Sequence, residues 1–251
     1  MPYLEALCVI PARLESTRLA KKLLRTIEGK PLLQFVYENA ERAKSVKRVL
    51  VACDHESIKD CVEGFGGEVI LTSPHHTSGT ERVAEVAHHT AYEIVINLQG
   101  DEPLMNAEVI DQVAEALRQD PTCVMSTACI RRSDPREFAN PNVVKLTKDR
   151  FGYALYFSRA PIPHNRDGGP TDFFKHLGIY GYRRGFLLQF AALSPSLLEQ
   201  REKLEQLRAI DNGFKIKVVE TVHDSIGVDT EEDFQTVQHE LALRAQKAPH
   251  A

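Results

Sequence analysis

Apolar residues recur along the first half of the chain in two alternating rhythms: short continuous runs, and longer stretches with a helical period. The run LCVIPA (7–12) reads as a strand. KPLLQFVYENAERAK (30–44) places Leu32, Leu33, Val36, Ala40 and Ala43 along one helical face, with Pro31 suited to the first turn. KRVLVAC (47–53) is a second strand, SIKDCVEGFG (57–66) a short helix stopped by glycine, and EVILT (68–72) a third strand. SGTERVAEVAHH (78–89) opens with Ser78 three residues before Glu81, a capping-box spacing, and IVINLQ (94–99) follows as a strand too apolar for one exposed face. A helix over about 106–119 closes the unit. This alternation predicts an α/β fold, doubly wound, with a mostly parallel sheet covered on both faces and ligands gathered outside the carboxyl ends of its strands.

The rhythm then changes. From about 122 to 182 the strands CVMSTACI, VVKLT, YALYF and HLGIYGY come without clear helices between them, which predicts a smaller antiparallel excursion within a single domain spanning 1–251. A helical pattern resumes in SLLEQREKLEQLRAIDNG (196–213), with Gly213 suited to its end, and again over about 230–246. The segment HNRDGGPTD (164–172) has the glycines and polar residues of a loop able to move.

Composition narrows the function classes. The 251 residues are 43% hydrophobic and 26% charged, with a formal net charge of −4, which argues against a general nucleic-acid binder. No apolar run approaches the ~18–20 residues needed to span a bilayer, so no membrane association is expected. The five cysteines, Cys8, Cys53, Cys61, Cys123 and Cys129, form no C-x-x-C pair and follow no signal-like segment; reduced thiols and a cytoplasmic location are expected. The pairs His75–His76 and His88–His89 have no recognised zinc spacing.

Charge is concentrated just after the first strand, where Arg13, Arg18, Lys21, Lys22 and Arg25 crowd one loop. The segment lacks the G-x-G-x-x-G of a dinucleotide loop and the glycine and hydroxyl residues of a P-loop. Two readings stand: a solvated charged loop, or a phosphate cradle of backbone amides and cations suited to a nucleoside triphosphate. NLQGDEPL (97–104) puts Asp101 at a strand end, and IGVDTEEDF (226–234) puts Asp229 just before a helix. Either aspartate alone reads as readily as a cap or surface charge. Together with the cationic loop they outline a site for phosphoryl or nucleotidyl transfer, with Mg²⁺ on the carboxylates.

IPARLESTRLAKKLL, HHTSGTERVAEV, INLQGDEPL, NPNVVKL, YALYFSRAPIP, KHLGIYGYR, KLEQLR and GVDTEEDF occur in order along nearly the whole chain. In these motifs the chain resembles the 3-deoxy-manno-octulosonate cytidylyltransferases, the CMP-KDO synthetases of lipopolysaccharide assembly. It departs from the usual family pattern at Ala20 and Leu23, where proline is customary. The resemblance implies transfer of CMP from CTP to the anomeric hydroxyl of the octulosonate, with Mg²⁺ as cofactor and a homodimer built through the second-half strands. It implies a nucleotide site of Ala12, Arg13, Ser16, Arg18, Lys22, Ser78, Gly79, Thr80, Gln99 and Gly100, with Arg13 and Lys22 on the triphosphate. Asp101 and Asp229 become metal ligands, and Arg159, His176, Tyr180, Glu205 and Gln206 the sugar pocket, with Arg166 at its edge. An arginine suits the sugar's carboxylate, and histidine, tyrosine, glutamate and glutamine suit its hydroxyls. Alternatives are the same reaction on an amino-substituted octulosonate or a nonulosonate, and a CTP-sensing module without turnover.

Overall fold

The computed structural model describes residues 5–15, 19–168 and 172–247. The predicted alternation is present in its first half: β1 (Ala6–Ala12), the short antiparallel pair β2 (Thr26–Ile27) and β3 (Lys30–Pro31), α1 (Leu32–Glu41), β4 (Val46–Cys53), α2 (Glu56–Gly64), β5 (Val69–Leu71), α3 (Gly79–His88), β6 (Ile94–Leu98) and α4 (Ala107–Gln119). There follow β7 (Met125–Arg132), α5 (Pro135–Ala139), β8 (Lys145–Lys148), β9 (Ala154–Ser158), β10 (Phe173–Arg183), α6 (Arg184–Ala191), α7 (Leu197–Glu202), α8 (Leu207–Asp211), β11 (Ile216–Thr221) and α9 (Glu231–Lys247).

The main sheet runs β11-β7-β10-β6-β1-β4-β5. Strands β6, β1, β4 and β5 are parallel neighbours, and β11 is parallel to β7. Only β10 runs against its neighbours β6 and β7 within this row. The antiparallel excursion is therefore narrower than the sequence pattern suggests: β7 and β10 lie inside the main sheet, while β8 and β9 leave it as a hairpin attached to β10.

Burial explains the uniformly apolar strands. In β1, Ala6, Cys8, Ile10 and Ala12 belong to one core, and Leu7 and Val9 to the other. Alternate side chains thus meet opposite helical layers, so no position on the strand can be polar. The layer over the first face includes α1 and α4; the layer over the second includes α3 and α6. At Gly181 of β10 an added Cβ would lie 2.5 Å from Ser126 Oγ and 3.0 Å from Val113 of α4, so glycine lets this helix approach the strand.

Three helices depart from the pattern read off the sequence. Asp134 caps α5 by accepting a hydrogen bond from Arg136 N–H at 2.8 Å, with Pro135 in its first turn. The stretch RGFLLQFA, not read as helical, forms α6 and buries Phe186, Leu187 and Phe190. The single helix predicted over 196–213 is two, because Lys203 adopts a left-handed conformation (φ 55°) and ends α7. That break turns main-chain carbonyls outward. Among the described residues, no helix is long and apolar enough to cross a membrane.

Candidate active site

The carboxyl ends of β1 and β6 open into a cleft of about 420 Å³. Arg13 leaves β1 at one wall, Gln99, Gly100 and Asp101 leave β6 at the floor, and the amino end of α3 supplies Ser78 and Gly79. Close approach makes the glycines necessary: a Cβ on Gly100 would lie 3.1 Å from Pro11 O, and one on Gly79 3.2 Å from the Pro11 ring. Ser78 caps α3, accepting from Glu81 N–H at 3.1 Å, while the Glu81 carboxylate turns back to accept from Thr77 N–H at 2.7 Å. The start of α3, with its partial positive charge, therefore faces the cleft as an anion-favouring wall.

Lys22 links three distant segments. After Lys21 (φ 50°) the chain makes one turn of 3₁₀ helix, Lys22–Leu24, which anchors Leu23 in the core and aims the Lys22 ammonium inward. Its Nζ donates to Asp101 Oδ2 at 2.6 Å, to Asp229 Oδ1 at 3.1 Å and to Val228 O at 2.8 Å. Burial opposes the charge on Lys22, but the charges and hydrogen bonds of Asp101 and Asp229 outweigh it and raise its pKa above the ordinary lysine value. Asp229 is not the helix cap: the Asp233 carboxylate accepts from Asp229 N–H at 3.1 Å and Thr230 N–H at 2.8 Å. The Asp229 carboxylate is thereby directed to Lys22. Val228 N–H donates to Asp101 O at 2.8 Å, so the two acidic loops are also joined through the backbone.

The other loop cations divide. Arg25 makes a two-pronged pair with Glu231, at 2.5 and 2.9 Å, and stacks on Phe234, so this cation braces α9. Arg13 is exposed at the cleft wall, and Ser16 and Arg18 lie outside the described residues. Ala12 is buried at the end of β1, lining the same cleft.

A second cleft, of about 540 Å³, adjoins the first. Arg159 and His176 line it with Glu102, Asn142 and Lys175, and Asp229 lines both clefts. The Arg159 guanidinium is held by carbonyls: Nε donates to Glu202 O at 2.8 Å and Nη1 to Pro141 O at 3.0 Å, with Lys203 O at 3.5 Å. The left-handed break after α7 is what presents the Glu202 and Lys203 carbonyls. The Thr127 hydroxyl donates to Ile179 O at 2.7 Å, so it accepts from His176 Nε2–H at 2.9 Å. That tautomer leaves Nδ1 as a hydrogen-bond acceptor, and burial lowers the His176 pKa to about 3, keeping the ring neutral. Tyr180 packs on His176 with ring centroids 5.4 Å apart, and burial pushes its phenol pKa up.

Glu205 lies on the side of the first cleft: its carboxylate accepts from Thr80 Oγ1, and burial raises its pKa. Thr80 also accepts from Asn97 Nδ2 at 3.4 Å, and Asn97 Oδ1 from Gln99 Nε2 at 2.8 Å, giving a polar chain from the first cleft to Glu205. Gln206 is 3% exposed, and its Nε2 is a buried donor without a hydrogen-bond partner among the described residues. Neither residue lines the second cleft, nor do Tyr180 or Arg166. Arg166 sits on the 164–168 loop, and residues 169–171 of the same predicted mobile loop lie outside the described residues.

Two neighbours of the site escaped sequence reasoning. Glu102 projects into the second cleft, accepts from Ser225 Oγ, and is pushed up to about 7 by burial. Glycines make its room, since a Cβ on Gly178 would come within 2.8 Å of Glu102 Oε1 and one on Gly227 within 3.1 Å. Asp54, at the end of β4, accepts from Leu14 N–H at 3.0 Å and from Arg82 at 3.2 Å, tying the cationic loop to α3. Its strand-end position was the available signal, the same one that singles out Asp101.

Carboxylate donors suit a hard divalent cation that keeps its remaining places for water and phosphate. Asp101 and Asp229 meet that requirement, both reaching one cationic centre. Among the described residues, no group of three or more His, Cys, Asp or Glu side chains is arranged to hold a metal ion, so a bound ion would depend on the substrate's oxygens as well.

A family profile described as cytidylyltransferase matches residues 7–217. The 3-deoxy-manno-octulosonate cytidylyltransferase of Geobacter sulfurreducens is 48% identical over 244 residues, covering 93% of this chain and 98% of the relative. That of Solibacter usitatus is 47% identical over 230 residues, covering 91% of each chain. A solved CMP:2-keto-3-deoxy-manno-octonic acid synthetase complexed with CTP is 40% identical and superposes with a TM-score of 0.91, covering 96% of this chain and 99% of that one. A cytidylyltransferase from Leptospira borgpetersenii, 17% identical with a TM-score of 0.66 over 96% of this chain and 87% of its own, shares the fold.

Proposed function

Since the chain belongs to the 3-deoxy-manno-octulosonate cytidylyltransferase family, we propose that CTP occupies the cleft at the ends of β1 and β6 and the sugar acid the cleft beside it. The reaction is transfer of CMP from CTP to the octulosonate, giving CMP-KDO and pyrophosphate. The observation that carries the assignment of clefts is Asp229, which lines both and so marks where the two substrates meet.

In this reading Arg13 and Lys22 bind the triphosphate, and Ser78, Gly79 and Thr80 at the start of α3, with Gln99 and Gly100, surround the nucleoside. Arg159 receives the sugar's carboxylate, because its guanidinium is oriented by neutral carbonyls and its charge remains available. Neutral His176 accepts from a sugar hydroxyl through Nδ1. Tyr180 and Gln206 support the acceptor side from behind, the latter with its unpartnered amide nitrogen, and Glu205 reaches the nucleotide side through Thr80. The anomeric hydroxyl attacks the α-phosphorus in line, and Arg13 and Lys22 stabilise charge on the departing pyrophosphate. Asp101 and Asp229 would hold Mg²⁺, which when bound supplies electrostatic stabilisation at the phosphate oxygens.

The enzyme functions as a homodimer in the cytoplasm, where CTP is available. The exposed Phe151 and Leu155 beside the β8–β9 hairpin support pairing through that region, and five unpaired thiols suit a reducing compartment.

Pyrophosphate release tests the function directly, with CTP, ATP, GTP or UTP, with the octulosonate or sialic acid, and with or without Mg²⁺. Release confined to CTP, octulosonate and Mg²⁺ together is expected. Equal release with sialic acid would refute the acceptor assignment, and release in a chelated, metal-free sample would refute the role given to Asp101 and Asp229.

A further inference from the structure

Lys145 has no solvent exposure, an uncommon place for an ammonium unless its charge is compensated. The compensation consists of three main-chain carbonyls. Nζ donates to Asn140 O at 2.9 Å, Val143 O at 2.7 Å and Arg159 O at 2.5 Å, which uses all three of its protons. Two of these carbonyls belong to the turn 140–143 that leads into β8; the third belongs to the residue just after β9.

The turn is closed on itself by Val143 N–H to Asn140 O at 3.1 Å and by Asn142 N–H to Asn140 Oδ1 at 2.9 Å. Another of its carbonyls, Pro141 O, accepts from the Arg159 guanidinium at 3.0 Å. Lys145 therefore bears on Arg159 twice, directly through the Arg159 carbonyl and indirectly through the turn that receives the guanidinium. Both segments line the second cleft.

We propose that Lys145 is a positioning residue of the acceptor site, fixing the turn 140–143 and Arg159 in the arrangement that receives the carboxylate of an acidic sugar. The proposal rests on the assignment of the second cleft to the sugar. Lys145 itself is sealed from the cleft and touches no substrate. An uncharged residue of similar length would fill the space but leave Val143 O and Arg159 O without donors, Asn140 O with only the Val143 N–H, and the turn free to shift away from Arg159.

Steady-state kinetics on Lys145→Met, Lys145→Arg, Asn140→Ala and Arg159→Ala, each with a thermal unfolding curve, tests this. Folded Lys145→Met is expected to raise the KM for the octulosonate about tenfold or more while the KM for CTP stays within about twofold, as befits a displaced binding group. Lys145→Arg, which keeps the charge and donors, should recover part of that loss. Asn140→Ala loosens the turn from its exposed side and should raise the sugar KM about threefold, again sparing CTP. An unchanged sugar KM in folded Lys145→Met, or KM values for both substrates rising together, overturns the proposal. Should Lys145→Met not fold, an unchanged sugar KM in Asn140→Ala overturns it instead. Arg159→Ala separates the two levels: no change in its sugar KM overturns the assignment of the cleft, whereas a rise there with none in Lys145→Met overturns the role of Lys145 alone.

Discussion

Asp101 makes the shortest of the Lys22 contacts, with the ammonium 2.6 Å from its carboxylate. Asp101→Asn keeps the shape and removes the charge, so kcat should fall by about 100-fold or more while the melting temperature moves little. Turnover within a few-fold of the parent would remove Asp101 from the chemistry. His176 makes a pH-dependent contribution of the opposite kind. Its folded pKa, about 3, lies below the ordinary value near 6.5, so the unfolded chain binds the extra proton between those limits. Stability contributed by neutral His176 is complete above about pH 6.5 and is lost as pH falls toward 3. His176→Gln removes that loss. The melting-temperature deficit of the variant at pH 7 should therefore shrink progressively between pH 6.5 and 3, and a constant deficit would contradict the burial of the ring. Residue types at strand ends were legible in the sequence: Arg13, Lys22, Asp101 and Asp229 converge as chemistry would have them. Their partition was not, because Arg25 reads like its neighbours until Glu231 is found beside it.

Elements show where local pattern and tertiary demand diverge. The apolar period over 196–213 continues without interruption, yet the chain breaks at Lys203, where the carbonyls of Glu202 and Lys203 accept from Arg159. Such a break has no periodic signature; only glycine or asparagine at the left-handed position would have announced it. Lys203→Gly relieves the strain of a side chain at φ 55° and should stabilise the protein by about 0.5–1 kcal/mol in a denaturant melt. Destabilisation would show that the lysine side chain contributes more than its backbone geometry costs. In β10 the ladder to β7 shifts register between Leu177 and Tyr180, around the glycine against which Glu102 lies. The apolar pattern of KHLGIYGYR foretells a strand but is silent on a bulge, which depends on a side chain from another loop. The five-residue α5 was hidden for a related reason: it buries no side chain, so it leaves no hydrophobic period.

At the scale of the whole molecule, alternation of strand and helix specified the parallel half of the sheet, and the loss of alternation marked where another arrangement begins. What it did not specify was strand order, since β10 inserts between β6 and β7 and joins the two halves into one sheet. The cleft proposed for the nucleotide draws on β1, β6, α3 and the loop before α9, so a ligand there should stabilise all of them at once. CTP with Mg²⁺ at about 100 times its Kd should add about 2.7 kcal/mol to the unfolding free energy, with a rise in melting temperature that ATP at equal concentration does not produce. An equal rise with ATP would mean that the phosphates alone are recognised. Lys22 and Asp229, 207 positions apart in sequence, meet at the first cleft. During synthesis, then, the ribosome must pass codon 229 before the two clefts can share that carboxylate. A transcript cut short ahead of that codon would yield most of the sheet without the junction proposed to join nucleotide and sugar.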